Sequence, residues 1–528
     1  MTNEKSMIMK KLALLLACLM LFAVLAACTS NGEDPDETPA ATDETPGEGD
    51  DKGVNVYVEG IISSLDPYSS IEYVNWYVWN QIYETLVTVD AETGEIIPAL
   101  AKEHTISEDG LTYSFVLEEG VKFHNDAELK APDVVFSLNT AMEMPAMSSW
   151  TNMMEKAEAT GDYTFDLTLK RQYAALPSML AQLPIVNEAF YSSNDNHYDI
   201  ACGTGPYMLE EGKVDPNTEI TAVRFDDYRK GPASIPSVTF KVITDASTAT
   251  IQLETGELDF LMVYSVSNYQ PLVDTGNFNS TLVSAPHTAY ISINNTVEPL
   301  NNKALRQALN YAADKETITL VAYEGLAVPA RMLCNETSFG ADFSEATDFT
   351  FDIDKAKEKL AEAGFPDGIN FDDYDIELDY IPGSYHEKIA QSLKESWSQA
   401  GIEVSLRASE TYNSDSAAGT YTLVTQGSSF TADMSFMATM YGTEGIDATN
   451  YARYSNPEVD DLFAQGDATT DSAERLAIYK EICEIVIDDC PHIPIQHKQM
   501  PFVWNKDLDA KVYPSNDHPW YVYEWSWK

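Results

Sequence analysis

Basic residues are scarce in this chain. Only 32 Lys and Arg stand against 84 Asp and Glu in 528 residues, a formal net charge of −52 at pH 7. Nucleic acid and anionic lipid surfaces would both repel such a chain, so neither is expected as a partner. Cysteine is rarer still, at 6. Cys202, Cys334, Cys483 and Cys490 lie in the body without a CxxC pair; their possible pairings are several, and the sequence selects none. Catalytic signatures are missing too. His386-Glu387-Lys388-Ile389-Ala390 opens like HExxH but has Ala390 where the second imidazole would stand, so a metal loses a ligand. Gly203-Thr204-Gly205-Pro206-Tyr207-Met208 lacks the third glycine of GxGxxG, and neither a GxSxG elbow nor a P-loop lysine motif is found. The 8 histidines are scattered, and His492 and His497 sit in a strand-like segment that would point them to opposite faces. Acidic pairs such as Asp372 and Asp373 follow from composition and read as solvated surface. No catalysis, metal or cofactor is expected.

What is present begins at the front end. Lys5, Lys10 and Lys11 precede an almost unbroken apolar run from Leu12 to Ala27 that closes on small residues, the layout of a secretory signal. It is short of the roughly 20 apolar residues that span a bilayer. Leu25-Ala26-Ala27-Cys28 resembles the lipobox of bacterial lipoproteins, in which cleavage precedes an acylated cysteine. The resemblance makes residues 1–27 a signal peptide and Cys28 a lipid attachment point. A single acyl chain binds only marginally, so stable tethering requires the several chains such proteins carry. Asn31 to Lys52 has no aromatic and no Ile, Leu or Met, but nine acids and three Pro. Residues 28–52 are therefore expected to be a disordered acidic linker, reaching roughly 25 Å on average. The expected location is extracytoplasmic, anchored to the outer face of the cytoplasmic membrane.

The remaining body is too long for one core, so at least two lobes are expected. Gly53 to Gly60 encloses the alternating strand VNVYV, and apolar residues at helical spacing follow from Ile71 to Leu86. Leu111 to Phe123 alternates and predicts a hairpin about Glu118 to Gly120; Pro132 to Met142 predicts a helix with proline in its first turn. Tyr163 to Lys170 and Val238 to Val242 read as strands, and Ser247–Glu254, Lys303–Ala313, Ile353–Ala363 and Tyr385–Ala400 as helices, the last two stopped by Gly364 and Gly401. Helix and strand alternate throughout, which predicts an α/β fold.

Several stretches together carry a resemblance. Leu65-Asp66-Pro67, Ile82-Tyr83-Glu84-Thr85-Leu86, Pro98-Ala99-Leu100-Ala101, Asp109-Gly110-Leu111-Thr112-Tyr113 and Gly203-Thr204-Gly205-Pro206-Tyr207 occur in that order. Leu253-Glu254-Thr255-Gly256-Glu257-Leu258-Asp259, Arg306-Gln307-Ala308-Leu309-Asn310-Tyr311-Ala312 and Tyr454-Ser455-Asn456-Pro457-Glu458-Val459-Asp460 follow. Over residues 53–528 the chain resembles the peptide-type extracellular solute-binding proteins of ABC importers. The resemblance implies a two-lobed periplasmic-binding-protein-like fold of type II with a nested subdomain, closing on a ligand by a hinge. It places lobe I at 53–95, 203–285 and 495–528, the nested subdomain at 96–202 and lobe II at 286–494. It also implies a monomer that captures an oligopeptide and passes it to a membrane permease with cytoplasmic ATPase subunits. The same fold serves nickel complexes, haem and sugars, which stay open as alternatives. An exported hydrolase and a structural surface lipoprotein are the readings of another class.

In peptide-binding members an aspartate in a W-x-A-D-Y segment pairs with the peptide's α-ammonium. The matching positions are Phe430-Thr431-Ala432-Asp433-Met434, which makes Asp433 the expected ammonium partner. Thr431 and Ala432 would offer backbone groups to an extended peptide, and Phe430 a pocket wall. Met434 replaces the tyrosine, and the Asp-Pro that often follows is absent from Ser435 to Tyr441. No arginine for a peptide carboxylate stands in Pro382-Gly383-Ser384-Tyr385-His386, which favours a longer peptide. Tyr68, Asn294, Tyr385 and Tyr412 are the further candidates.

Overall fold

A computed structural model describes residues 52–90, 93–194, 196–263, 265–429, 433–513 and 520–528. The body opens with β1 (Val54–Val58), which runs parallel to two neighbours and is buried along almost its whole length, as a central strand flanked on both edges must be. Helix α1 (Tyr73–Ile82) ends earlier than its apolar spacing predicts. The chain turns extended at Tyr83, where the Gly203–Gly205 loop closes on the helix end: Gly205 N donates to Ile82 O at 2.8 Å, and a Cβ on Gly205 would stand 2.7 Å from that backbone. Glycine there is a matter of close approach.

Next comes a separate four-stranded antiparallel sheet formed by β2 (Ala101–Ile106), β3 (Thr112–Leu117), β4 (Met154–Ala159) and β5 (Thr164–Leu169), in the order β2-β3-β5-β4. Helix α2 (Ala131–Glu143) packs against it, with Pro132 in its first turn. The hairpin expected about Glu118 to Gly120 does not form. Strand β3 pairs with β2 and β5 instead, and Lys122 makes only an isolated bridge to Glu128.

The chain then returns to the first sheet through β6 (Tyr207–Asp215), β7 (Glu219–Arg224), β8 (Ser237–Val242), helix α3 (Ala246–Thr255) and β9 (Phe260–Met262). Asp245 caps α3 through Thr248 N at 2.8 Å, and Gly256 ends it with φ +80°. The 16-residue strand β10 (Phe278–Ile293) leads into α4 (Lys303–Tyr311), α5 (Lys315–Tyr323), β11 (Ala327–Pro329), α6 (Ile353–Glu362), β12 (Glu377–Tyr380) and α7 (Tyr385–Gln399). Strands β13 (Ser405–Ala408) and β14 (Leu423–Ser429), helix α8 (Ser472–Asp489) and β15 (His492–Asn505) complete the order.

Among the described residues these strands form an 11-stranded sheet, ordered β13-β12-β14-β10-β15-β9-β1-β8-β7-β6, with β11 attached to β15. Two large cores lie on it, with a smaller third one between α3 and the sheet around Tyr57, Leu253, Leu261 and Val503. The first joins residues from Val54 to Ala285 with Met500 to Trp525 and includes the four-stranded sheet; the second runs from Ala289 to Ile495. Only β10 and β15 pass through both, so the cores define two lobes joined at those strands.

The second lobe is keyed to β15 by a set of side-chain bonds. Arg306 Nε donates to Asp489 O at 3.0 Å, Gln307 Nε2 to Asp488 O at 2.8 Å, and Asn310 Nδ2 to His492 O at 3.2 Å. Arg306 and Gln307 satisfy carbonyls that the end of α8 leaves open, Asn310 takes one at the start of β15, and the guanidinium complements the negative end of the helix. Trp397, fully buried, donates to Leu309 O at 3.0 Å and pins α7 to α4.

Candidate ligand-binding cleft

Between the lobes the ladder of β10 and β15 loses register. Ser284 faces Gln499, but the next pair is Thr288 with His497, so Ala285, Pro286 and His287 of β10 stand opposite Lys498 alone. Proline has no N–H to give, which suits it to such an interruption. At this bulge opens a cavity of about 260 Å³, walled by Val263, Ser265 and Pro501 from the first lobe's side and by Tyr323 and Tyr385 from the second. His287 and Lys498, from the crossing strands themselves, also line it.

The Tyr385 ring lies 4.0 Å from that of His386 and 4.9 Å from that of Tyr323, so it is fixed on two sides. A Cβ on Gly427 would run into the Tyr385 hydroxyl and come within 2.9 Å of the His287 ring; the missing side chain leaves room for both. Burial, with a smaller contribution from Lys498, pushes the His287 pKa down to about 4, and Nδ1 of this imidazole has no hydrogen-bond partner. It stands in the cleft neutral at physiological pH, able to accept or donate. Lys498 is pulled down by burial, while Glu59 from the first lobe opposes that shift.

A second meeting point lies where the four-stranded subdomain touches the far lobe. Asp433, 2% exposed, accepts from Arg475 Nη2 at 3.1 Å on each oxygen, from Ser435 N at 2.9 Å and from Ser178 Oγ at 3.3 Å. Ser178 comes from the subdomain; the other two come from the second lobe. Tyr173 Oη lies 3.2 Å from Ser435 Oγ, Ala174 N donates to Asp467 O at 2.8 Å, and Arg171 pairs with the Asp467 carboxylate. The Arg475 guanidinium is stacked on Phe339 at 4.8 Å and near Tyr479 at 5.2 Å, and Nη2 donates to Tyr479 Oη at 3.0 Å. Burial works most strongly against its charge, but Asp433 and the Tyr479 hydroxyl together outweigh that and hold its pKa up.

The structure thus brings Tyr385 and Asp433 to the junction of the lobes. Tyr68 is fully buried, its hydroxyl spent on Pro184 O at 2.6 Å, and Asn294 is tied to Tyr421 O at 3.1 Å and Gly419 O at 3.3 Å; both are framework. Phe430, Thr431, Ala432, Cys28 and the side chain of Tyr412 lie outside the described residues. Sequence reasoning missed Arg475, Ser178, His287 and Lys498. The one usable signal was Arg475 and Tyr479, four apart on a helix and so on one face. Another cavity, of about 210 Å³, opens among α1, Tyr228 and Tyr523, but all its walls belong to the first lobe's side, so lobe movement does not act on it. Among the described residues no group of His, Cys, Asp and Glu is placed to hold a metal, and no helix is long and apolar enough to cross a membrane.

Residues 95–448 match the profile of the bacterial extracellular solute-binding proteins, family 5 Middle. The chain belongs to that family. This solute-binding protein is 28% identical over 450 residues to heme-binding protein A of Haemophilus influenzae, covering 79% of this chain and 82% of the relative. It is also 28% identical over 480 residues to glutathione-binding protein GsiB of Escherichia coli K12, covering 87% and 91%. HbpA2 from Haemophilus parasuis superposes with a TM-score of 0.82 at 25% identity, covering 90% of this chain and 100% of that one. AppA from Bacillus subtilis, solved with a nonapeptide, gives 0.68 at 23% identity over 91% and 99%, a likeness of fold. The fold is therefore the two-lobed, type II periplasmic-binding-protein arrangement, and the family's members are substrate-binding proteins of ABC importers that work with a permease. The relatives are receptors for solutes, not enzymes.

Proposed function

We propose that this solute-binding protein captures oligopeptides outside the cell and delivers them to an ABC permease and its ATPase subunits, as a monomer held to the membrane through an acylated Cys28. The observation that carries the peptide reading is the cavity at the hinge. It is walled by both lobes, so closure acts on whatever fills it, and it mixes tyrosine rings with the neutral imidazole of His287 and the ammonium of Lys498. Such a lining suits a flexible ligand with amide groups and small apolar parts. Glutathione, which the relative GsiB is named for binding, is itself a tripeptide. A ligand bridging the lobes shifts the population from open to closed without any reaction. Domain limits of 53–95, 203–285 and 495–528 for lobe I, 96–202 for the subdomain and 286–494 for lobe II accompany this reading.

Haem is the second reading, favoured by the likeness to heme-binding protein A and HbpA2. Native mass spectrometry of the full-length protein, followed by mild denaturation, separates the two. Release of a mixed set of short peptides supports the proposal. A single porphyrin mass with its visible absorption overturns it, and a diacylglyceryl modification on Cys28 in the same spectrum checks the anchor.

A further inference from the structure

A buried carboxylate where two lobes meet is the natural seat for a ligand's cation. Asp433 occupies that place, yet its acceptor positions are already filled. A carboxylate offers about four lone-pair directions, and Arg475 Nη2 takes one on each oxygen at 3.1 Å, with Ser435 N at 2.9 Å and Ser178 Oγ at 3.3 Å beside them. The Arg475 side chain is 9% exposed and that of Asp433 2%, so the two charges cancel out of contact with solvent. Arg475 is not free to swing away, because Phe339 and Tyr479 hold its guanidinium and its Nε already lacks a partner. An ammonium that displaced it would leave a buried cation without a counter-charge. Of the other acids near the cleft, Glu324 is exposed and faces Lys388 at 3.9 Å, and Glu59 acts on Lys498; neither is a buried carboxylate at the meeting of subdomain and second lobe.

We infer that Arg475 withdraws Asp433 from ligand recognition, so that the cleft takes peptides without reading a free α-ammonium. N-blocked, cyclic and side-chain-linked peptides are then as good ligands as linear ones with a free amino end. Arg475 is a specificity-determining residue by what it covers, and Asp433 serves the contact between subdomain and second lobe. This inference rests on the peptide reading above.

The test uses full-length protein and short peptides of matched sequence, each prepared with a free and with an Nα-acetylated end, titrated by calorimetry. Wild type is expected to bind the two forms within about threefold of each other. Arg475→Met uncovers the carboxylate and is expected to favour the free amine by about tenfold or more. Should that single variant fail to fold, Asp433→Asn with Arg475→Met removes both charges, and its ratio between the two forms is expected to match wild type. A loss of about tenfold on acetylation in wild type overturns the inference while leaving the peptide reading intact. Failure of wild type to bind either form overturns the peptide reading, and the inference with it.

Discussion

The pair between Asp433 and Arg475 allows its stability contribution to be worked out in advance. With side chains 2% and 9% exposed, neither charge is solvated, so removing one partner strands the other. Breaking a buried pair in that way costs about 3–5 kcal/mol, whereas replacing both partners together is close to neutral. The two single variants should not be equal. Asp433→Asn leaves Arg475 with the Tyr479 hydroxyl and ring stacking, its Nε still without a partner, so it should fall at the upper end of that range. Arg475→Met leaves Asp433 with Ser435 N and Ser178 Oγ, two donors that continue to hold its charge, so it should fall at the lower end. The double variant should recover most of either loss, giving a coupling of about 3 kcal/mol or more. For a lobe of some two hundred residues about 2–4 °C accompany each kcal/mol, so the singles should lower its unfolding midpoint by roughly 6–20 °C. Urea and thermal unfolding of all four proteins give the cycle. Single variants that each cost under about 1 kcal/mol, or a double variant less stable than the worse single, would show that the pair is solvated and refute the reasoning.

Gly427→Ala should push the Tyr385 hydroxyl and the His287 ring out of place, at about 1–3 kcal/mol of overpacking; unchanged stability and unchanged ligand affinity by calorimetry would show that these rings move freely. Ser178→Ala combined with Tyr173→Phe removes two bonds between subdomain and second lobe, each contributing about 0.5–1.5 kcal/mol. Its effect should be a larger open fraction by small-angle scattering without loss of the fold, and a scattering curve identical to wild type counts against the contact. Burial depresses the pKa of His124, His287, His386 and His497 to about 4 and of His492 to about 3. Between those values and the ordinary 6.5 the unfolded chain binds protons that the folded chain refuses, so stability is complete above about pH 6.5 and falls as the pH drops toward 4. Imidazole resonances that titrate near 6.5 in the folded protein would contradict this.

The parts of the fold legible in the sequence were those that depend on neighbours along the chain. Alternation at Thr164–Leu169, the helix at Ser247–Glu254, and helices stopped at Gly364 and Gly401 are local patterns, and they appear as strands and helices in the structure. The hairpin expected after Leu117 failed because alternation marks a strand without naming its partner, which proved to be β2 on one side and β5 on the other. Asp433 was found through its motif. Arg475 was not, since it lies between exposed Glu474 and Leu476 and looks like any residue of a surface helix. Only tertiary packing turns it toward the carboxylate. His287 and Lys498 were hidden for the same reason: the bulge that turns them into the cavity is a property of two strands, far apart in sequence, that pair through both lobes.

The position of β15 bears on how the protein is made. Strands β14 and β10 belong to one half of the large sheet and β9 and β1 to the other, and β15 is the strand that hydrogen-bonds to both β10 and β9. It lies near the C-terminus, so during synthesis or export the two halves stay unjoined, with open strand edges, until residues 492–505 emerge. The subdomain sheet needs nothing beyond residue 169 for its own pairing and can form long before. A chain held back for most of its length from completing its main sheet exposes unpaired edges to other chains. Truncation even shortly before residue 492 should therefore yield an aggregating product rather than a smaller folded one.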